Sequence, residues 1–411
     1  MHKLTTLSIL LLLFLAACQD IDKEKPNVLR AGLNTSESAI QIPVLLQRGE
    51  AIYAGKEWEN VQNQYSTLKQ KALAGDQEAV LYLAQLFTLE ARVTGEHGHY
   101  YPAALELIEQ VLEKGINDPN VRFGFLLTKA SVLLSQHEFE AALATALQAK
   151  SINSHNAQVY GALVDAYVEL GEYEAAVAAA DKMVAIRPDL RSYARVSYLR
   201  EIYGQVDAAI EAMKLAVAAG YPGTEETAWT ALELGHLYTR YGKTQAARQV
   251  YEQILMDRKD YPFAIAALAE LEIEAQNYAA AEELLERATA IIPEVGFFEQ
   301  LAHIYKATGR NKALVETLQE IEEMLQDDVD SGHNMNLEYA ALYRDLVEDY
   351  ELALRYASIE HQKRPNNIDT NQMLASIYHK QAKPEAVAKH LKIATQTNAK
   401  YPSLLAIKAE Y

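Results

Sequence analysis

The chain has 411 residues, of which 50% are hydrophobic and 23% charged, with a formal charge of −18 and a pI near 5.1. Such a composition folds around a buried core. The shortage of cations, 38 Lys and Arg against 56 Asp and Glu, excludes a nucleic-acid binder, which needs a basic surface for phosphates.

At the N-terminus, Lys3 precedes an apolar run from Leu7 to Leu15, followed by Ala16, Ala17 and Cys18. The run is too short for a permanent membrane span and has the build of a secretion signal. Cys18 is the only cysteine, whereas a secreted protein held by disulfides uses an even set. The stretch Leu15–Cys18 resembles the lipobox of bacterial lipoproteins. The resemblance implies cleavage after residue 17, acylation of Cys18 and attachment to a membrane without spanning it. Buried acyl chains contribute about 0.8 kcal/mol per CH₂ to such anchoring. Gln19 stands where that family places the aspartate that retains proteins in the inner membrane, so the expected address is the outer membrane. Asp20, Asp22 and Glu24 resemble the surface-export tethers of Bacteroidetes lipoproteins, which leaves periplasmic and surface orientations open.

Residues 18–38 are polar, contain Pro26 and Gly32 and lack an apolar period, so they read as a flexible tether. About 20 such residues reach roughly 25 Å. Residues 39–79 read as a degenerate helix pair that caps the array to come.

From residue 80 to 402 a pattern recurs. In "GALVDAYVELGEYEAAVAAADKMVAIRP", Tyr160, Leu163, Val164 and Tyr167 share one helical face, Gly171 stops the helix, and Ala176, Ala180, Met183 and Val184 share the face of a second helix that ends at Pro188. Small residues at Ala176 and Ala180 let the two helices approach closely. The frame returns upstream at Leu126, Ala130, Phe139, Ala142 and Ala146. It returns downstream at Gly204, Ala209 and Ala216, at Tyr278, Ala281 and Pro293, and at Tyr350, Ala353 and Pro365. The pattern resembles the tetratricopeptide repeat, a helix-turn-helix of 34 residues. The resemblance implies an all-α, right-handed superhelix, an α-solenoid, of about eight to nine helix pairs, closed by a C-terminal helical cap at 403–411.

The set Tyr278, Ala281 and Pro293 lies 105 residues after Tyr173, Ala176 and Pro188. The excess over three repeats falls at Gly220–Trp229, and a similar longer joint occurs at "LQDDVDSGHNMN". Two unrelated loop insertions explain this more simply than an array built in threes.

No catalytic motif survives inspection. "HEFEA" at His137 begins like a zinc-protease helix, but position 141 is alanine where the second histidine is needed. No phosphate or dinucleotide loop occurs next to a strand. Glu96, His97 and His99 form a weak candidate metal cluster in a turn, and Glu90 would extend it into a metal-dependent enzyme site. The main expectation is no enzyme and no cofactor.

The repeat resemblance implies a concave face, lined by the first helix of each pair, where a protein or peptide partner lies. Positions flanking the apolar stripe are Asp165, Arg191, Arg195, Tyr198, Trp229, Glu233, His236, Glu270, Glu299 and His303. Of these, Asp165, Tyr198, His236, Glu270 and His303 are equivalent positions of successive repeats, an expected ladder of polar groups. Aromatic and arginine side chains are favoured binding anchors. The Lys and Asn by which some family members clamp a C-terminal carboxylate are replaced here by Gly161, Asp165, Ala194 and Tyr198. The sequence therefore points to a lipid-anchored interaction scaffold of the bacterial envelope, with a small-ligand-binding lipoprotein as the alternative.

Overall fold

The computed structural model describes residues 40–52 and 55–411. The signal segment 1–17, Cys18 and the tether to Ser38 lie outside the described residues. Among the described residues there are twenty α-helices and no strands. Helix α1 (Lys56–Leu73) precedes nine hairpin pairs. These are α2 (Gln77–Thr94) with α3 (His97–Lys114), α4 (Pro119–Ser135) with α5 (Phe139–Ile152), and α6 (Ala157–Glu169) with α7 (Tyr173–Ile186). Then come α8 (Leu190–Ile202) with α9 (Val206–Ala218), α10 (Glu225–Arg240) with α11 (Thr244–Asp257), and α12 (Pro262–Glu274) with α13 (Tyr278–Ile291). The last three are α14 (Val295–Ala307) with α15 (Asn311–Asp330), α16 (Asn336–Leu342) with α17 (Tyr350–Lys363), and α18 (Ile368–Lys380) with α19 (Pro384–Ala394). Helix α20 (Pro402–Lys408) follows them.

Local chemistry sets the boundaries. Asp76, Asp118, Asn156, Asp189, Thr224, Asp349 and Asn367 cap helix N-termini by accepting backbone N–H bonds. Every pair turns through one left-handed residue. Five are glycines, at 95, 171, 204, 242 and 309, and the other four are His137, Gln276, Glu348 and Ala382, with φ between 53° and 63°. A recurrent bond closes the turn, for example Glu172 N–H to Tyr167 O at 2.8 Å and Asn277 N–H to Glu272 O at 2.8 Å.

Small residues set the packing distance within a pair. Ala142, Ala176, Ala209, Ala247, Ala281, Ala302, Ala353 and Ala394 have no accessible surface. A Cβ at Gly235 would overlap the Tyr251 ring, so the absence of a side chain admits that tyrosine.

Two expectations are corrected. Residues 40–49 are not the first helix of a degenerate pair. Pro43 and Gly49 disfavour a helix there, and the segment runs extended along α3 as a strap. Tyr65 Oη–H donates to Pro43 O at 2.8 Å, Leu46 N–H to Tyr100 Oη at 3.0 Å, and His99 Nε2 lies 2.8 Å from Val44 O. The strap ends in buried Arg48, held bidentate by Glu90 at 2.6 and 2.9 Å. Second, "LQDDVD" is not a loop but the final turns of α15, which runs to Asp330. The first insertion is a loop plus an added first turn of α10, so the two excess lengths are different devices.

The array closes on itself edge to edge. Turns inside the early pairs meet loops between the late pairs, at a sequence offset of 195 to 199 residues. Asn334 O lies 3.0 Å from His137 Nδ1, and Ile368 N–H donates to Tyr173 Oη at 2.8 Å. Arg364 pairs with Glu169, and Arg240 lies over the Tyr401 ring. Five and a half pairs therefore make one superhelical turn. At this seam Gly171 faces the Asn366 backbone, where a Cβ would sit 2.5 Å from the carbonyl carbon, and Gly204 faces Asn398 O more tightly still. Val168, Tyr173 and Ile202 from the early turn share one apolar cluster with Ile368, Ala399 and Leu404 from the late one.

Candidate partner-binding inner face

First helices of neighbouring pairs pack directly on one another, α4 on α6, α6 on α8 and α10 on α12, whereas the second helices touch mainly their own partner and the next first helix. The first helices therefore stand on the tighter inner side of the curve. All ten partner-binding candidates of the sequence lie on α6, α8, α10, α12 and α14.

The structure brings some of them together and leaves others alone. Asp165 and Arg195 form a two-pronged pair, Nε–H to Oδ1 at 2.8 Å and Nη2–H to Oδ2 at 2.5 Å. Arg195 also donates to Gly161 O at 3.1 Å, and a Cβ on Gly161 would crowd its guanidinium. Arg191 pairs with Glu226. Tyr198 packs against the apolar cluster that spans the seam, and burial among Glu169 and Asp369 raises its hydroxyl well above the ordinary tyrosine value. Asp165 and Arg195 thus face each other, Tyr198 faces the seam, and Arg191 reaches across to the first turn of α10.

Further along, Trp229 is 45% exposed and meets Phe263 edge-on, with centroids 5.4 Å apart. Glu233 and His236 stand 3.7 Å apart, and the His236 ring packs on Tyr251. Glu270 is half-buried and makes no hydrogen bond or ion pair among the described residues. Glu299 is similar, and burial, with Glu338 and Asp345 nearby, pushes its carboxyl up to about 7. His303 is exposed one turn further on.

The weak metal cluster does not assemble. His97 and His99 lie in the first turn of α3, not in a loop, and point apart. His97 stacks on Tyr101, where burial together with His333 and Arg92 lowers its pKa to about 4, while His99 faces Val44 O. Glu96 is exposed, and Glu90 is held by Arg48. Among the described residues no group of three His, Cys, Asp or Glu is placed to hold a metal ion.

One polar constellation escaped the sequence altogether. A cavity of about 330 Å³ lies at the seam, lined by His137, Asp165, Glu169, Glu338, Glu360, Arg364 and Asp369 among others. Arg364 bridges Glu169 and Glu360 with its head over the Phe139 ring. Its members are far apart in sequence, and no local spacing signals the site.

Tetratricopeptide-repeat family models match residues 157–190 and 238–295. No curated protein matches the sequence. Among solved structures, the APC/C hetero-tetramer Cut9–Hcn1 is similar with a TM-score of 0.50 at 14% identity, covering 84% of this chain and 66% of that one. A tetratricopeptide repeat protein from Parabacteroides merdae gives 0.41 at 14% identity, over 66% of this chain and 94% of that one. Thermus thermophilus TTC0263 gives 0.40 at 22%, over 47% and 98%. The repeated pairs, the alanine positions and the left-handed turns agree with these matches: the chain carries tetratricopeptide repeats within an α-solenoid of nine helix pairs among the described residues.

Proposed function

We propose that the chain is an interaction scaffold of the bacterial envelope, anchored by lipid at Cys18, that binds a protein or peptide segment on the inner face of α10, α12 and α14. One observation carries this reading. Trp229, Glu270 and Glu299 have surface or charge that the protein itself leaves uncommitted, whereas Asp165 and Arg195 are spent on each other. An exposed indole on the same inner face as carboxylates that are unpaired among the described residues suits a polar segment that carries positive charge, with the aromatic ring as anchor. Binding rather than catalysis is the role the repeats suggest, and the signal sequence supports a lipid-anchored, outer-membrane address.

The test is crosslinked capture from intact envelopes by the wild type and by Trp229→Ala with Glu270→Lys. A partner captured by the first and lost from the second supports the reading. The same captured set from both would remove it. Loss of membrane association in Cys18→Ser, in the same preparations, tests the anchor separately.

A further inference from the structure

Residues 40–48 are held on the array as a receptor holds an extended peptide. Among the described residues, no backbone–backbone hydrogen bond joins them to the helices. Side chains bind their main chain instead. Gln110 Oε1 accepts from Gln41 N–H at 2.8 Å, and Gln110 Nε2–H donates to Gln41 O at 3.1 Å. Tyr65 Oη–H donates to Pro43 O, and Tyr100 Oη accepts from Leu46 N–H. Gln41 and Leu46 are five positions apart, while their partners on α3, Gln110 and Tyr100, are ten apart in the reverse direction. Five extended residues and ten helical ones both span roughly 15–17 Å, so the segment runs antiparallel to α3 and in step with it.

Side chains of the segment supply the selectivity. Ile40, Ile42, Leu45 and Leu46 pack on the apolar cluster of α1, α2 and α3. Arg48 enters deepest. Its Nε–H and Nη2–H go to the two oxygens of Glu90, its Nη1–H goes to Glu57 Oε1 at 3.1 Å, and its head lies 5.2 Å from the centroid of the Trp58 ring. The Glu90 side chain has no accessible surface and pairs with no other cation among the described residues. A two-pronged carboxylate beneath an aromatic face suits a planar guanidinium and not an ammonium.

The segment itself is shallowly seated. Of residues 40–48 only Arg48 is buried, and Val44 is 63% exposed. A stretch with little buried surface and no backbone ladder opens locally well before the whole fold does. The face it uncovers is built by helix packing, since α2 packs directly on both α1 and α3. Opening leaves Glu90 without its counter-charge, so the vacated face favours whichever arginine returns to it.

We propose that the face between α1 and α3 is a second peptide site, which takes an extended apolar segment of a partner protein closed by an arginine, and that residues 40–48 occupy it in cis as a competitor. The pattern read is apolar residues two, three, six and eight positions before the arginine, as in Leu46, Leu45, Ile42 and Ile40 before Arg48. A proline fits among them, because only the carbonyl of Pro43 is bound. This assignment depends neither on the partner reading of α10 to α14 nor on the lipid anchor.

The experiment is fluorescence anisotropy with a labelled peptide of residues 40–49 against the full chain, as wild type and as Arg48→Ala. In the wild type the cis segment competes, so the apparent affinity falls with the fraction of molecules whose face is free. Arg48→Ala weakens that competitor and should bind the peptide about tenfold or more tighter than the wild type does. Peptides carrying Arg48→Lys or Arg48→Ala should bind the Arg48→Ala chain about tenfold or more weaker than the native peptide. Circular dichroism confirms the fold of the variant. Hydrogen exchange on the wild type carries the test if the variant does not fold. There Leu46 N–H, bonded to Tyr100 Oη, should exchange about a hundredfold or more faster than the amides of α2 and α3. No saturable binding to a folded Arg48→Ala chain at millimolar peptide, equal affinity of the two chains, or equal affinity for either altered peptide would overturn the proposal. Exchange of Leu46 at the rate of the α2 core would overturn it too, and would make the strap a fixed part of the fold.

Discussion

The inner walls of α6–α8 and of α10–α14 are built from the same repeat, yet they hold their polar residues in opposite states. On α6 and α8, Asp165 is locked by Arg195 and Tyr198 is half-buried against the seam. On α10 to α14, Trp229 is open and Glu270 and Glu299 have no partner among the described residues. The cause lies outside either wall. The turns at Gly171 and Gly204 are covered by residues that come about 195 positions later, whereas nothing lies within 4 Å of a Cβ built on Gly242 or Gly309. Equivalent positions in a repeat array thus acquire structural or binding roles according to which superhelical turn lies against them.

The sharpest way to break this contrast is to remove its central ion pair. Arg364 is 6% exposed and joins Glu360, which is 2% exposed, to Glu169 across the seam. Arg364→Ala strands those carboxylates and should cost about 3–5 kcal/mol of stability in urea unfolding. An exposed pair such as Lys312 with Glu316, removed in the same way, should cost less than about 0.5 kcal/mol. A cost below 1 kcal/mol for Arg364→Ala would mean that the seam carries little of the fold's stability.

A matched pair of glycines separates the seam from backbone strain. Gly171 and Gly242 have φ of 77° and 70°. Alanine at either position adopts the left-handed region at about 1–2 kcal/mol. Only at Gly171 does the new methyl also meet backbone, that of Asn366. Gly171→Ala should therefore cost about 2 kcal/mol more than Gly242→Ala, and its seam amides should exchange faster. Equal costs would show that the turns do not press on each other.

The sequence displays the pairs because their signals are local. Alanines at 142, 176, 209, 281 and 353, each with no accessible surface, fall on the frame read from spacing alone. Glycine marked only five of nine turns, since His137, Gln276, Glu348 and Ala382 adopt the same left-handed conformation without announcing it. The seam was invisible for a different reason. It depends on superhelical pitch, so Glu169 and Arg364 meet because many small rotations add up, and no window of sequence contains that sum. The strap misled for a third reason. "IPVLLQRGE" has helical-looking apolar spacing, but its side chains are spent on α1 and α3 as an extended segment. The candidate binding residues were readable as inner-face positions, but whether each was engaged was not.

Acidity offers a smaller probe of the open wall. Burial lifts Glu299 in the folded chain to about 7, from an ordinary value of 4.5. The folded state therefore binds this proton more tightly than the unfolded state, so this carboxyl's contribution to stability is greatest below pH 4.5 and declines as pH rises toward 7. Glu294 and Glu169, also raised to about 7, act in the same direction. The buried His97 and His390, lowered to about 4, act in the opposite direction below pH 6.5, so the carboxyl is read by difference: relative to the wild type, Glu299→Gln should gain about 1 kcal/mol at pH 8 while changing little at pH 5.5. A variant curve parallel to the wild type would show that Glu299 is solvated and ordinary.

A small stability effect should accompany the largest effect on binding. Trp229 leaves nearly half its surface in solvent and touches Phe263 only edge-on. Trp229→Ala should lower stability by about 1 kcal/mol, the range of one aromatic pair plus partial burial. Tyr198→Ala, cut from the cluster that spans the seam, should cost about 3 kcal/mol or more. If the open wall is the binding surface, partner capture should fall far more in Trp229→Ala than in a variant of equal stability altered on the outer helices, such as Met256→Ala, which changes a side chain 77% exposed. The comparison matters because a scaffold can lose its partner by loosening anywhere. Only a loss larger than stability accounts for, at a residue the fold hardly uses, places recognition on α10 to α14.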